Sequence, residues 1–150
     1  MLKGINPLLT PELLKIMMEM GHDDALVLSD ANFTAQSIAA GKPVIRLPGV
    51  PMLQAVQAVC SLLPLAADVA HPAAFMAVSG EPGNYRSALH REVIAHLTPE
   101  MLPGQSAEPV ERFAFYQRAR AAYAIVVTGE KQSFGNFILR KGVIGENLRP

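Results

Sequence analysis

In the stretch "MGHDDALVLSDANFTAQS" a short apolar run carries His22, Asp23 and Asp24 at its entrance and Asp30 and Asn32 at its exit. An imidazole can give or take a proton near neutral pH, because its ordinary pKa of about 6.5 leaves both forms accessible. Further along, Arg112 opens a helical pattern, Tyr123 precedes another apolar run, and Asn136 sits in a loop after Gly135. Guanidinium, phenol and carboxamide groups supply donors and acceptors. Functional side chains collect at loop ends of this kind. Each residue nevertheless has an ordinary explanation by itself. His22 suits the C-terminal end of the preceding helix, whose dipole favours a cation. Asp30 suits a turn, and Arg112 suits a solvated helix face. The residue types define a possible acid and base site without saying what it acts on.

Other chemistries lack their residues. His22, His71, His90 and His96 show neither HxH nor HExxH spacing, and His90 and His96 fall on different faces of one helix, so no metal site is expected. GxGxxG, Walker, CxxC and GxSxG patterns do not occur, and no cofactor is indicated. Cys60 lies in "QAVQAVCSLLPL", the pattern of a buried helix face. Lys plus Arg and Asp plus Glu are equal at 13 each, with no basic block, which argues against nucleic acid as a partner. No apolar run reaches the roughly 18 residues of a membrane span. Asn6, Pro7, Pro11 and Glu12 interrupt any N-terminal apolar stretch, so the expected location is the cytoplasm. Charged residues make up 17% of the 150, against roughly 25% in ordinary soluble domains, which favours an oligomer.

The elements that must position these residues follow from pattern. "LLTPELLKIMMEMGH" has Thr10 as N-cap, Pro11 at the first helical position and Gly21 past the end; Leu13, Leu14, Met17 and Met18 form its apolar face. "DALVLSD" and "PVIRLPG" read as buried strands, joined by "ANFTAQSIAAGK" as loop or short helix. A helix over 52–63, a strand in "AAFMAVSG" and a helix in "NYRSALHREVIAHL" come next. "TPEMLPGQSAEP" reads as a connector, "ERFAFYQRARAA" as a helix, and "YAIVVTG" and "NFILRKGV" as strands joined by "EKQSFG". The alternation predicts one α/β layered domain, a mixed or mainly parallel sheet covered by helices.

Three motifs, "EMGHDDALVLSDANF", "ERFAFYQRARAAYAIVVTGE" and "FGNFILRKGV", resemble the L-fucose mutarotase and D-ribose pyranase family, as do "INPLLTPELLKIM", "VIRLPGV" and "FMAV". "SDANF" and "RFAFYQRA" are similar to its fucose branch. The resemblance implies an isomerase that interconverts the α and β anomers of a free monosaccharide, L-fucose foremost, without metal or organic cofactor. It also implies a ring-forming homo-oligomer, often decameric. It carries His22 onto the proton-donor position, Tyr123 onto a catalytic aromatic position, and Asp30, Arg112, Phe134, Gly135 and Asn136 onto the sugar-binding positions. A D-ribose pyranase and a non-catalytic monosaccharide-binding protein are the alternatives.

The chain departs from the family at Phe134, where the family loop usually reads Tyr-Gly-Asn. One phenolic hydroxyl is missing, a hydrogen bond worth about 0.5–1.5 kcal/mol net. A strand over 25–29 would also set His22 and Asp30 at opposite ends, on the order of 20 Å apart at the usual rise per residue. One sugar cannot span that distance. Either the "GHDD" turn folds back along the strand or the pocket takes its groups from two chains; the expectation is the second, a pocket shared at each junction of a ring.

Overall fold

The computed structural model describes residues 1–145. Six strands form one sheet: β1 (Ala25–Ser29), β2 (Val44–Arg46), β3 (Ala73–Met76), β4 (Ala107–Val110), β5 (Ala124–Val127) and β6 (Phe137–Arg140). Their spatial order is β2-β5-β1-β6-β3-β4. The pairs β2·β5, β5·β1 and β3·β4 are parallel, while β6 runs antiparallel to both β1 and β3. The sheet is therefore mixed and mainly parallel, as the alternation of elements implies. The carboxyl ends of β1, β3, β4 and β5 share one edge with the start of β6.

Five α-helices cover it: α1 (Pro11–Glu19), α2 (Ala35–Ala39), α3 (Met52–Cys60), α4 (Ala88–Leu97) and α5 (Arg112–Ala121). Side chains alternate across a strand, and both faces of this sheet are buried. Leu26, Leu28, Phe75, Val126, Phe137 and Leu139 pack with α1, α3 and α4. Val27, Met76, Ile125, Val127 and Ile138 pack with α2 and α5. Burial on both faces explains why β1, β3 and β5 read as unbroken apolar runs.

The N-cap of α1 is the one written in the sequence: the Thr10 hydroxyl accepts from Leu13 N at 3.1 Å, with Pro11 behind it. Its apolar face is narrower than expected, because Met17 is buried while Met18 is 83% exposed. Helix α3 stops at Cys60, short of residue 63. Cys60 is buried, and burial pushes its thiol up to about 12, an inert state.

Strand β4 was not expected at all. Its residues Ala107–Val110 include Glu108 and Pro109 within a connector rich in Pro and Gly. It forms the outer edge of the sheet, where a residue without N–H is tolerated because no further strand needs its donor. The other edge, β2, is three residues long and lies between Pro43 and Pro48.

Beyond β5 the chain passes against the loop after β2 with no room for a side chain. A Cβ on Gly129 would stand 2.6 Å from Gly49 N, Cα and C, all backbone atoms that cannot turn aside. Gly129→Ala should therefore destabilise the protein by about 1–3 kcal/mol, the range for overpacking a filled site. Urea denaturation reads this as a lowered midpoint, and an unchanged midpoint would mean that the two loops separate freely.

Candidate active site

At the edge where the parallel strands end, a cavity of about 380 Å³ is lined by four chain segments, the loop after β1, the end of β3, the start of α5 and the loop before β6, with Asp30, Phe33, Met76, Arg112, Phe134 and Asn136 among the lining residues. Ligands of open α/β sheets bind outside the carboxyl ends of strands, where the strand order reverses, and here β6 is the strand that interrupts the parallel order. An apolar cleft of the same size, at the opposite end of β1, contains His22. Volume does not separate the two clefts; the polar groups do.

Asp30 follows β1 directly and is 7% exposed. Asn136 directly precedes β6, the neighbour of β1, and is 2% exposed. The two residues meet in a double contact. Asp30 N donates to Asn136 Oδ1 at 2.8 Å, and Asn136 Nδ2 donates to Asp30 Oδ2 at 3.0 Å. Asn32 N donates to the other carboxylate oxygen at 2.9 Å. Burial raises the pKa of Asp30, and the hydrogen bonds from Asn32 and Asn136 oppose the rise.

Arg112 is the first residue of α5, whose N-cap Glu111 accepts from Phe113 N and Ala114 N. Its Nε donates to Tyr116 Oη at 3.0 Å, one turn along the helix. Its guanidinium lies 5.4 Å from the Phe113 ring centre and 5.5 Å from that of Tyr116. Among the described residues Arg112 forms no ion pair with Asp30. The cavity thus sets a carboxylate and a guanidinium apart, with Phe33, Tyr116, Met76 and Phe134 as apolar walls. Such a pairing suits a hydroxylated ring, whose edges need donors and acceptors and whose faces need apolar contact.

Gly135 lies in the same loop, packed so closely that a Cβ would stand 2.8 Å from Leu89 Cδ2 and 2.9 Å from Gln132 O. Phe134 takes φ +61, a conformation rare for a bulky residue.

His22 and Tyr123 are not in this cavity. Tyr123 precedes β5 and its Oη donates to Glu19 Oε2 at 3.3 Å; desolvation and the Glu19 carboxylate raise its pKa. His22 sits beyond α1, half exposed, among Met17, Met18, Leu62 and Ile144. The role of C-terminal helix cation falls to Lys141, whose Nζ donates to Met17 O at 2.7 Å and also to Met20 O. His22 Nε2 instead lies 3.0 Å from Asp68 Oδ2. That hydrogen bond holds the Asp68 carboxyl below its usual range. Asp68 was not singled out by sequence, since 46 residues separate it from His22 and "AADVAHP" has no spacing that points to a partner.

Residues 3–144 match the RbsD / FucU transport protein family. The chain belongs to that family. It is 43% identical over 144 residues to an L-fucose mutarotase of Actinobacillus pleuropneumoniae serotype 5b, covering 95% of this chain and 97% of the relative. It is 41% identical over 150 residues to the human fucose mutarotase, covering 97% and 96%. Among solved structures, the Streptococcus pneumoniae fucose mutarotase in complex with L-fucose superposes with a TM-score of 0.86 at 35% identity, covering 96% of this chain and all of that one. Bacillus subtilis RbsD, solved with D-ribose, shares the RbsD / FucU fold with a TM-score of 0.75 at 20% identity over 97% of this chain. No helix among the described residues is long and apolar enough to cross a membrane.

Burial gives Asp30 a folded-state pKa above its ordinary 3.8. A group shifted this way adds stability that is fully present below its unfolded pKa and lost as pH rises through the folded one. The stability of wild type relative to Asp30→Asn should therefore decrease as pH is raised from about 3 to about 7. Urea midpoints of both proteins across that range check it. A difference that grows with pH would mean that the surroundings favour the carboxylate.

Proposed function

We infer that this RbsD / FucU chain is a sugar mutarotase acting on L-fucose, an isomerase that interconverts the α and β anomers of the free sugar. The observation that carries this is identity of 41–44% over 95–97% of the chain to proteins named fucose or L-fucose mutarotase. The cavity supports it with a carboxylate, a carboxamide and a guanidinium disposed around apolar walls.

Mutarotation needs little machinery. A proton leaves the anomeric hydroxyl, another reaches the ring oxygen, and the bond between C1 and the ring oxygen breaks to give the open aldehyde. Rotation about C1–C2 and closure with the reverse proton transfers yield the other anomer. One acid and one base suffice, and proton transfer by a positioned side chain contributes about 10²–10⁴-fold. In this reading Asp30 accepts hydrogen bonds from sugar hydroxyls and Arg112 donates them. Asn136 and the backbone at Phe134 and Gly135 hold the rest of the ring. His22 moves the proton, with Asp68 orienting its imidazole, and Tyr123 supplies a second hydroxyl. No step calls for a cofactor.

His22 and Tyr123 belong to the opposite end of the sheet from Asp30, so this assignment requires a second chain. In a closed ring each junction repeats one heterologous contact, and His22 and Tyr123 of one protomer would meet Asp30 and Arg112 of its partner. Met18 and Ile144, beside His22 and more than 80% exposed, are the kind of surface such a contact covers. We assign the chain to a ring-shaped homo-oligomer, a decamer by family resemblance, and to the cytoplasm, where its lone Cys60 suits a reducing compartment.

Two experiments test this. Saturation-transfer NMR on L-fucose should show accelerated anomer exchange in wild type and none in a folded His22→Ala protein; the Asp30→Ala protein should also be inactive. When the two inactive proteins are dissociated and reassembled together, partial activity should return at junctions that receive both intact groups. Mixed rings verified by mass spectrometry that stay inactive would place both residues in one chain's site. If the hydroxyl missing at Phe134 limits binding, Phe134→Tyr should tighten L-fucose binding about threefold, within the range of one hydrogen bond. Unchanged affinity in a titration would leave Phe134 with packing alone.

A further inference from the structure

The loop that carries Phe134 and Asn136 is tied to a helix that supplies no lining residue to the cavity. At the start of α4, Ser87 and His90 cap each other. The Ser87 hydroxyl accepts from His90 N at 3.1 Å, and His90 Nδ1 accepts from Ser87 N at 3.4 Å. With Nδ1 accepting, the neutral ring carries its proton on Nε2. That nitrogen lies 3.0 Å from the Phe134 carbonyl oxygen and donates to it. A second tie joins the same two segments, Gln132 Nε2 donating to Ser87 Oγ at 2.8 Å.

The carbonyl held by His90 belongs to the residue that most needs holding. Phe134 takes φ +61 without being glycine, and such strain persists only where the surroundings over-determine it. Asn136, which organises Asp30, follows two residues later. His90 itself is fully buried, with its ring centre 4.8 Å from Phe75 of β3 and 5.9 Å from Phe137 of β6. A buried imidazole with both nitrogens engaged is more than is needed to fill space between two phenylalanines.

We propose that His90 is a positioning residue of the sugar site: its Nε2–H fixes the Phe134 carbonyl, and with it the turn that presents the Phe134 ring and the Asn136 amide to the cavity. The proposal rests on the reading of that cavity as the sugar site. Protonation would put a second hydrogen on Nδ1, facing Ser87 N–H, and would break the cap. Burial and the nearby Arg86 keep the imidazole neutral to lower pH than usual. Arg86, stacked 4.6 Å from the Phe75 ring, is the charged group facing it; β3 and β6 offer Phe75 and Phe137, and the loop offers uncharged Gln132 and Phe134.

The test compares His90→Phe, which keeps the ring packing and removes the donor, with His90→Gln, which restores a donor and an acceptor. The Asn136 side-chain amide signals, read by NMR without sugar, should shift in His90→Phe and return towards wild type in His90→Gln. L-fucose KM should rise about three- to tenfold in His90→Phe with kcat nearly unchanged, the effect of one misplaced hydrogen-bonding group. Should His90→Phe fail to fold, histidine nitrogen spectra of wild type decide: His90 should be the Nε2–H tautomer, with its proton shifting when L-fucose saturates the site. Unmoved Asn136 signals, an unchanged KM, no recovery in His90→Gln or the opposite tautomer each overturn the proposal. A wild-type protein inactive on L-fucose overturns the function instead, and the sugar-free Asn136 signals still report on His90.

Discussion

A buried carboxylate at the end of the central strand constrains everything around it. Charge is expensive to remove from water, and a buried acceptor left unmatched costs about 1–3 kcal/mol. Asp30 avoids that outcome through two donors, the backbone N–H of Asn32 on one carboxylate oxygen and the side-chain amide of Asn136 on the other. Asn136 accepts from its backbone N–H and donates to its carboxylate, standing in for the next rung of the β1·β6 ladder while serving as ligand to the acid. The contact therefore needs β6 in its present register, with Phe137 opposite Leu28. It also needs the loop before β6 in its present shape. The strained Phe134, the buttressed Gly135 and the capped start of α4 are consequences of placing that one amide.

The antiparallel β6 explains how a mainly parallel sheet makes such a site. In a purely parallel sheet every strand would reach this edge with its carboxyl end and leave through a loop into a helix. Here one strand starts at this edge, between β1 and β3, and brings its loop directly between theirs. Asp30 arrives from β1, Met76 from β3, Arg112 just after β4 and Asn136 into β6, so four chain segments converge on one cavity. The same arrangement sends the other end of β1 away from it. His22 and Tyr123 lie there, each with a carboxylate for company, Asp68 and Glu19. A sheet is a rigid spacer, and no side-chain motion brings those groups within reach of Asp30.

What sequence made legible follows from where the information is stored. Helix α1 was readable from Thr10 and Pro11 because N-capping is local in the chain. Strands β1, β3 and β5 were readable because burial on both faces leaves an unbroken apolar run. Strand β4 was not, because an edge position tolerates Glu108 and Pro109, and the parallel pairing with β3 that makes it a strand is not encoded in its own four residues. The cavity residues Asp30, Arg112, Phe134 and Asn136 were found through motifs, since nothing local reveals that positions 30 and 136 touch. Asp68 and His90 escaped for related reasons. The partner of Asp68 is distant in sequence, and His90 on a helical apolar face looks like any other core position until its second nitrogen is seen on the Phe134 carbonyl.

The two ends of the sheet differ in what they can do unaided. The Asp30 cavity combines a carboxylate, a carboxamide and a guanidinium with apolar walls, and the double contact with Asn136 fixes its acceptor; such complementarity is what a site for a hydroxylated ring needs. The His22 end has an imidazole held by Asp68 but no comparable set of hydroxyl partners, and its neighbours Met17, Met18, Leu62 and Ile144 are apolar. Each end holds what the other lacks. A monomer would therefore bind without exchanging anomers, while a contact that sets one protomer's His22 over its partner's cavity would add the proton transfer. Burial of Met18 and Ile144 in the same contact would favour it. On this view assembly is part of the catalytic apparatus, and the low content of charged residues is the composition such an assembly needs.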